Sequence, residues 1–103
     1  MTMKKWIDYK GGFTVGEKGS ENGIILKDQE FDGGCRITLE NCPKYHAITC
    51  GIYGAMVHTV FCSPDNSADI FEQMKKELGK FMSTETNEDE EAEFYDYFCD
   101  KYF

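Results

Sequence analysis

The chain has 103 residues, of which 41% are hydrophobic and 15% aromatic, a composition typical of folded globular proteins rather than disordered ones. Its formal net charge of -8 argues against binding to nucleic acid or to anionic membrane surfaces, because both require clusters of Lys and Arg. The length predicts one domain, residues 1–103, with a single core.

Targeting signals and disulfides are not indicated by the sequence. The first eight residues, MTMKKWID, contain two lysines but no apolar stretch, so we expect no signal peptide. No apolar run approaches the ~20 residues of a transmembrane helix. The five cysteines are odd in number and include no CxxC pair, which favours free thiols in the cytoplasm.

Residues 1–23 are a poorly defined N-terminal segment. Short strands are compatible with residues 6–9 and 13–15, and an N-terminal strand would extend the sheet. Residues 16–23 form a Gly-rich polar loop that lacks the GK[ST] ending of a phosphate-binding loop and precedes a strand rather than a helix. We interpret this loop as a mobile connection.

The middle of the chain predicts an antiparallel sheet. A strand at residues 24–31 is polar in its second half, which suits a sheet edge, and residues 32–34 (Asp-Gly-Gly) suit a hairpin turn. A tight turn at residues 43–44 then pairs Leu39 with Ile48 and places both on one face.

The last hairpin of the sheet has two candidate turns. A two-residue turn at 53–54 pairs Cys50 with Val57, whereas a three-residue turn at 53–55 pairs Cys50 with His58. We favour the two-residue turn because the other disrupts the apolar face. The predicted buried face then consists of Cys35, Ile37, Leu39, Ile48, Cys50, Ile52, Val57 and Phe61.

Two helices are predicted after the sheet. The first begins near Pro64, which suits a first helical turn, and Gly79 falls outside its apolar stripe. The second begins at Asn87, which forms a capping box with Glu90. The acidic run 88–91 is therefore interpreted as a helix start and solvated face rather than a metal site. The stripe of the first helix consists of Ile70, Phe71, Met74, Leu78, Phe81 and Met82.

Strands followed by helices predict an α+β fold. We expect an antiparallel meander of four or five strands in residues 24–62, extended by residues 1–23 if these add a strand. Two C-terminal helices in residues 64–103 should pack on its apolar face.

The opposite face of the predicted sheet carries a shallow trough. Arg36 and Glu40 line one bank, and His58 stands on the other beside Thr49. This predicts a small-molecule site, with Arg36 as an anion anchor and His58 as an acid or base. The alternative is a solvent-exposed face of the sheet, on which an Arg36–Glu40 ion pair contributes little to the stability of the fold.

The cysteines and histidines form no catalytic or metal signature. His58 and Cys62 are four residues apart on one strand, roughly 13 Å at the usual rise, which is too far to share a metal. In the favoured register no cysteine lies beside a histidine base. We expect no metal and no cofactor, and a binding protein rather than an enzyme.

The last ten residues are rich in aromatic side chains, which as a helix sweep an arc of roughly 240°, too broad for one layer of contact. A helix wedged between its own neighbours is one explanation. The other is that Tyr97 and Phe103, at opposite edges of the arc, bind a protein partner or a second copy of the chain. The side chains predicted to be buried are Phe94, Tyr95, Phe98 and Tyr102.

The function expected from these patterns is that of a small acidic protein acting through protein–protein contacts, as an inhibitor, an adaptor or a homo-oligomer. The alternative is a small-molecule-binding or catalytic domain. Its candidate ligand-binding residues are Arg36, Glu40, Thr49 and His58.

Overall fold

The computed structural model describes residues 5–103, so residues 1–4 of the predicted N-terminal segment lie outside the described residues. Five antiparallel strands lie in the sheet in their chain order, and two helices follow them, which confirms the predicted α+β meander. Within residues 5–103, neither helix combines the length and the apolar character that crossing a membrane requires. The elements are β1 (Trp6–Asp8), β2 (Ile24–Phe31), β3 (Cys35–Asn41), β4 (His46–Ile52), β5 (Met56–Cys62), α1 (Ser67–Met82) and α2 (Glu88–Lys101).

Both helices cover the same face of the sheet, and the core lies between these two layers. Apolar side chains at alternate strand positions meet the apolar stripe of α1 and the aromatic side of α2. The most deeply buried members of this core are Cys35, Ile37, Ile48, Cys50, Phe71, Met74, Leu78 and Phe98.

The N-terminal half of the sheet differs from the prediction in three respects. β1 pairs with the last three residues of β2, so β2 is not an edge strand there. A bulge at Leu26 reverses the alternation of side chains, so that Ile25 and Asp28 lie on the face opposite the helices while Lys27 and Gln29 lie on the helix side. Residues 13–15 form a turn rather than a strand.

The first two turns of the meander are confirmed. The turn of residues 32–34 is closed by the Gly34 amide, which donates to the Phe31 carbonyl, and Asp32 and Gly33 have the positive φ angles expected there, 44° and 70°. The Cys42 amide donates to the Tyr45 carbonyl, which sets the predicted register between β3 and β4, with Leu39 opposite Ile48.

The predicted register between β4 and β5 is wrong. Cys50 lies opposite His58, and Ile52 lies opposite Met56, so the turn contains three residues rather than two. Val57 and Phe61 therefore face away from the helices and are exposed instead of buried.

The turn sequence explains this register. The Ala55 amide donates to the Ile52 carbonyl, and Gly54 has a positive φ of 76° at the third position, the pattern of a type II turn. A two-residue hairpin would need positive φ, or glycine, at the position of Tyr53, which a bulky side chain disfavours.

The first helix also departs from the prediction. α1 begins at Ser67 after Asn66, and Pro64 lies in the preceding turn. Gly79 is buried rather than off the apolar stripe, because α1 approaches β1 and β2 closely there. A Cβ at Gly79 would lie 3.0 Å from Nε1 of Trp6 and 3.5 Å from the ring of Phe31.

The second helix has the predicted capping box, in which the Asn87 side chain accepts from the Glu90 amide and the Glu90 side chain accepts from the Asn87 amide. Phe98 and Tyr102 are buried as predicted, but Phe94 and Tyr95 are only half-buried. These two rings pack against Phe81 of α1 and against the outside of the core.

Truncation of Ile48 tests the β3–β4 register. Ile48 is fully buried beneath the helices, so Ile48→Ala should lower the free energy of unfolding by ~2–5 kcal/mol. Val57→Ala is the matched control, because Val57 is 80% exposed and its truncation should cost under ~0.5 kcal/mol. Urea denaturation of both variants measures the difference, and equal losses would contradict the assigned faces.

Candidate functional site

A trough lies on the face of the sheet opposite the helices, with Val57 rather than His58 on its β5 side. Ala47, Thr49 and Gly51 of β4 form its floor, since each lies opposite a residue of the polar face of β3. The Gly-rich segment 16–23 folds over the end of the trough near Ala47, which is fully buried. This segment is tied to the sheet by backbone hydrogen bonds between Gly16 or Glu17 and Ile25, so it is not the free connection expected from its sequence.

Glu40, a predicted ligand-binding residue, lies beneath this covering segment and is fully buried. Its Oε1 accepts the amides of Glu21 (3.1 Å) and Gly23 (3.2 Å). The backbone of Gly19 packs so closely that a Cβ there would lie 2.4 Å from the Glu40 carboxyl carbon. Glu40 therefore anchors a segment of its own chain and is closed off from a ligand.

Arg36 does not pair with Glu40 but with Asp28, a buried residue of β2. The guanidinium donates two hydrogen bonds to the carboxylate, at 2.8 and 2.6 Å, and Thr14 and Thr38 donate two more. The guanidinium carbon also lies 3.8 Å from the ring centroid of Tyr9. The hydrogen bond that Arg36 donates to Asp28 is the main cause that raises the pKa of Arg36.

The other half of the trough remains open. It forms a depression of about 790 Å³ between the covering segment and the β4–β5 turn. Arg36, Thr38 and Thr49 line it, together with Gly51 and Val57. Thr49 hydroxyl lies 3.4 Å from that of Thr59, on the neighbouring strand.

His58 is absent from this face because of the three-residue turn. It faces α2, where its Nε2 donates to the carbonyl of Tyr102 and its ring lies edge-on to Phe98. The structure thus does not bring His58 together with Arg36 and Thr49, and the acid–base pair proposed for the trough is not assembled.

The remaining histidine, His46, lies 2.7 Å from the hydroxyl of Ser67. Ser67 is only 2% exposed, and its hydroxyl also donates to the Pro64 carbonyl, so no substrate reaches it. Across residues 5–103, no three His, Cys, Asp or Glu side chains converge in a way that could hold a metal ion.

The buried thiols are poorly suited to nucleophilic chemistry. Burial, with a smaller effect from Glu30, raises the pKa of Cys35 to about 12. Burial likewise raises the pKa of Cys50 to about 12, so both remain protonated at neutral pH.

The two predicted partner-binding residues differ in their surroundings. Tyr97 is half-exposed, but its hydroxyl donates to Glu77 of α1, which also accepts from Tyr102 and Lys101. Phe103 is 93% exposed and directly follows Tyr102, whose carbonyl is bonded to His58 of β5. Tyr97 thus links α2 to α1 through a hydrogen bond, whereas the side chain of Phe103 is exposed to solvent near β5.

The outer edge of β5 is the largest departure from the predicted site. The Ile52 carbonyl points toward β5, and the direction of the backbone N–H and C=O groups alternates from one residue of a strand to the next. The N–H and C=O groups of Met56, His58 and Val60 therefore point toward β4. The backbone groups of the intervening residues point to the free edge. β5 is the last strand of the sheet in the described part of the chain. The outward residues are Val57, Thr59 and Phe61.

Exposed apolar side chains accompany this free edge. Val57 and Phe61 are 80% and 55% exposed, and the ring of Phe61 packs edge-on against Tyr45 at 5.3 Å. β5 contains no Asp, Glu, Lys or Arg, and thus lacks the charges that usually protect an edge strand from pairing. We call Tyr45, Val57, Thr59 and Phe61 the β5 surface.

Sequence reasoning missed Asp28 and the β5 surface. The bulge at Leu26 shifts the alternation of β2 and so hides the position of Asp28 opposite Thr38. The order Tyr53-Gly54 was the available signal for the β5 surface, because glycine in second place suits a type II turn better than a two-residue hairpin.

Removal of Arg36 tests its ion pair with the buried Asp28. Arg36→Met leaves the carboxylate of Asp28 buried without its cation and should cost ~3–5 kcal/mol in the free energy of unfolding. Lys27→Met is the control, because Lys27 and Glu72 form a surface pair at 3.9 Å whose loss should cost ~0–1 kcal/mol. Chemical denaturation at neutral pH measures both, and a similar small loss for both would contradict a structural role for Arg36.

The Glu77 cluster predicts an acid-sensitive contact between the helices. Burial raises the pKa of Glu77, but hydrogen bonds from Tyr102, Tyr97 and Lys101 outweigh it and hold the pKa below its ordinary value of 4.5. The stabilisation is therefore present above pH 4.5 and is lost as the pH falls through the folded-state pKa. At neutral pH the free energy of unfolding should be higher for the wild type than for Glu77→Gln. This difference between the two proteins should shrink as the pH is lowered. Tyr102→Phe, which removes one donor, should narrow the difference at neutral pH, and a difference independent of pH would contradict this assignment.

Comparison with protein-family models, with curated proteins and with solved structures finds no match to this chain. A functional inference therefore depends on the chain's own geometry and charge.

Proposed function

We propose that this chain is a binding protein that acts through protein–protein contacts, as an inhibitor, an adaptor or a subunit of an oligomer, rather than as an enzyme. The supporting observation is the β5 surface. Outward backbone groups at Val57, Thr59 and Phe61 can accept an added strand, as in peptide recognition by β-strand addition.

The side chains around the edge favour the same mode. Val57 and Phe61 alternate with inward-facing residues, so an extended segment can place apolar side chains against both. Phe103 leaves α2 beside β5 and can extend the contact, whereas Tyr97 is engaged by Glu77. The partner is therefore an extended segment with apolar side chains at alternate positions.

The cysteines support a reducing location for this activity. All five thiols are unpaired, and all lie within the described residues. Free thiols are typical of proteins that work in the cytoplasm, and we propose that location.

Peptide selection tests the binding function. A displayed library of random linear peptides, selected on the intact chain, should yield binders whose affinity is measured by calorimetry. The double variant Val57→Lys with Phe61→Lys should abolish their binding, because lysines on the edge oppose strand addition.

A variant with two lysines elsewhere controls for the change in net charge. Val15 and Leu26 are exposed apolar residues outside the β5 surface, so Val15→Lys with Leu26→Lys should retain peptide binding. A chain that shows neither library binders nor self-association, or binders unaffected by the β5 double variant, would contradict the proposed function.

A small-molecule function in the open half of the trough is the second candidate, and the depression of about 790 Å³ beside Arg36 favours it. The guanidinium of Arg36 is already paired with Asp28, and His58 lies on the other face of the sheet. This second candidate is therefore a function in binding a small molecule, without catalysis. Perturbation of Thr38 and Thr49 amide resonances by small anions tests it, and unchanged spectra would contradict it.

A further inference from the structure

We propose that a second copy of the chain binds to the β5 edge. The two β5 strands pair antiparallel, and the two-fold axis passes between the two copies of Thr59. This inference rests on the proposed function and specifies its partner. The two sheets would join into one continuous sheet of ten strands, with the helices of both copies on the same face.

The backbone of β5 is self-complementary in this register. With Thr59 opposite its own copy, Val57 lies opposite Phe61 of the other chain and Phe61 lies opposite Val57. Val57, Thr59 and Phe61 of one chain therefore each lie opposite a residue of the other chain whose N–H and C=O groups also point outward. Each such pair can exchange two hydrogen bonds, as in any antiparallel ladder.

The exposed side chains are complementary in the same register. Val57 and Phe61 lie on the face opposite the helices, so the two-fold axis places valine beside phenylalanine twice. Aromatic and β-branched residues are a favourable cross-strand pair. The pairing thus covers the two most exposed side chains of β5 with each other.

The distribution of charge is also compatible with self-association. The chain has a net charge of -8, yet β5 has no charged residue, so the two edges meet without opposing charges in the ladder. The acidic side chains of α2, including Asp96 and Asp100, repel those of the other copy from a greater distance. Association should therefore strengthen as salt screens this repulsion.

Sedimentation equilibrium of the intact chain over a range of protein concentrations tests the inference. We expect reversible monomer–dimer exchange that is tighter at about 1 M NaCl, where the Debye length is about 3 Å, than at about 0.01 M, where it is about 30 Å. Val57→Lys should weaken dimerisation by about 2- to 30-fold, since the lost pair occurs twice in a symmetric dimer. Val15→Lys changes the net charge equally and should leave dimerisation unchanged or slightly tighter.

Disulfide trapping tests the register. Residues at 59 in the two chains lie directly opposite, with Cα atoms about 5.5 Å apart, within the range that a disulfide spans. Two residues at 57 lie roughly 13 Å apart, because each opposes residue 61. Under mild oxidation Thr59→Cys should form a linked dimer well above the background of the five native thiols, and Val57→Cys should not. Exposure alone predicts the reverse order, since Val57 is much more exposed than Thr59.

A chain that stays monomeric at every concentration and salt level would overturn the inference, as would Val57→Cys linking faster than Thr59→Cys. If library peptides still bind to the β5 surface of such a monomer, the second copy is excluded while the binding function stands. If peptide binding also fails, both proposals fall. Peptide binding that weakens with salt would identify a basic partner in place of a second copy.

Discussion

One extra residue in the turn between β4 and β5 decides which side of the sheet every side chain of β5 faces. Side chains alternate strictly along a strand, so the presence of Ala55 in the turn exchanges the two faces of the whole strand. His58 enters the helix-covered side and binds the Tyr102 carbonyl. Val57 and Phe61 face solvent at the edge of the sheet, and the proposed interaction surface depends on this arrangement.

The opposite face of the sheet owes its order to two buried carboxylates. Asp28 collects hydrogen bonds from Arg36, Thr14 and Thr38, which joins β2 and β3 to the N-terminal segment. Glu40 fastens the Gly-rich segment through two backbone amides. A buried carboxylate without hydrogen-bond partners costs free energy, so these hydrogen bonds hold the segment around Thr14 and the Gly-rich segment 16–23 against the sheet. Only part of the trough therefore stays open.

The two edges of the sheet are protected to different degrees. β1 has three residues, and a short edge strand offers few groups for pairing, whereas β5 has seven residues and no charged side chain. In the proposed dimer of a chain with a net charge of -8, the acidic groups of α2 would oppose association at a distance while the β5 edge would favour it. Ionic strength would shift the balance between these two effects.

The sequence by itself determined the class of fold, the order of the elements, the turn at residues 32–34, the β3–β4 register and the capping box of α2. Each of these depends on local rules, namely turn chemistry, periodicity and capping, which nearby residues satisfy. Only the tertiary structure decided the partner of Arg36, because the bulge at Leu26 moves Asp28 across the sheet, and the burial of Glu40, because a distant segment folds over it. The face of His58 follows from a local rule that the apolar pattern obscured: Tyr53-Gly54 suits the three-residue turn, whereas burial of Val57 and Phe61 required the two-residue one.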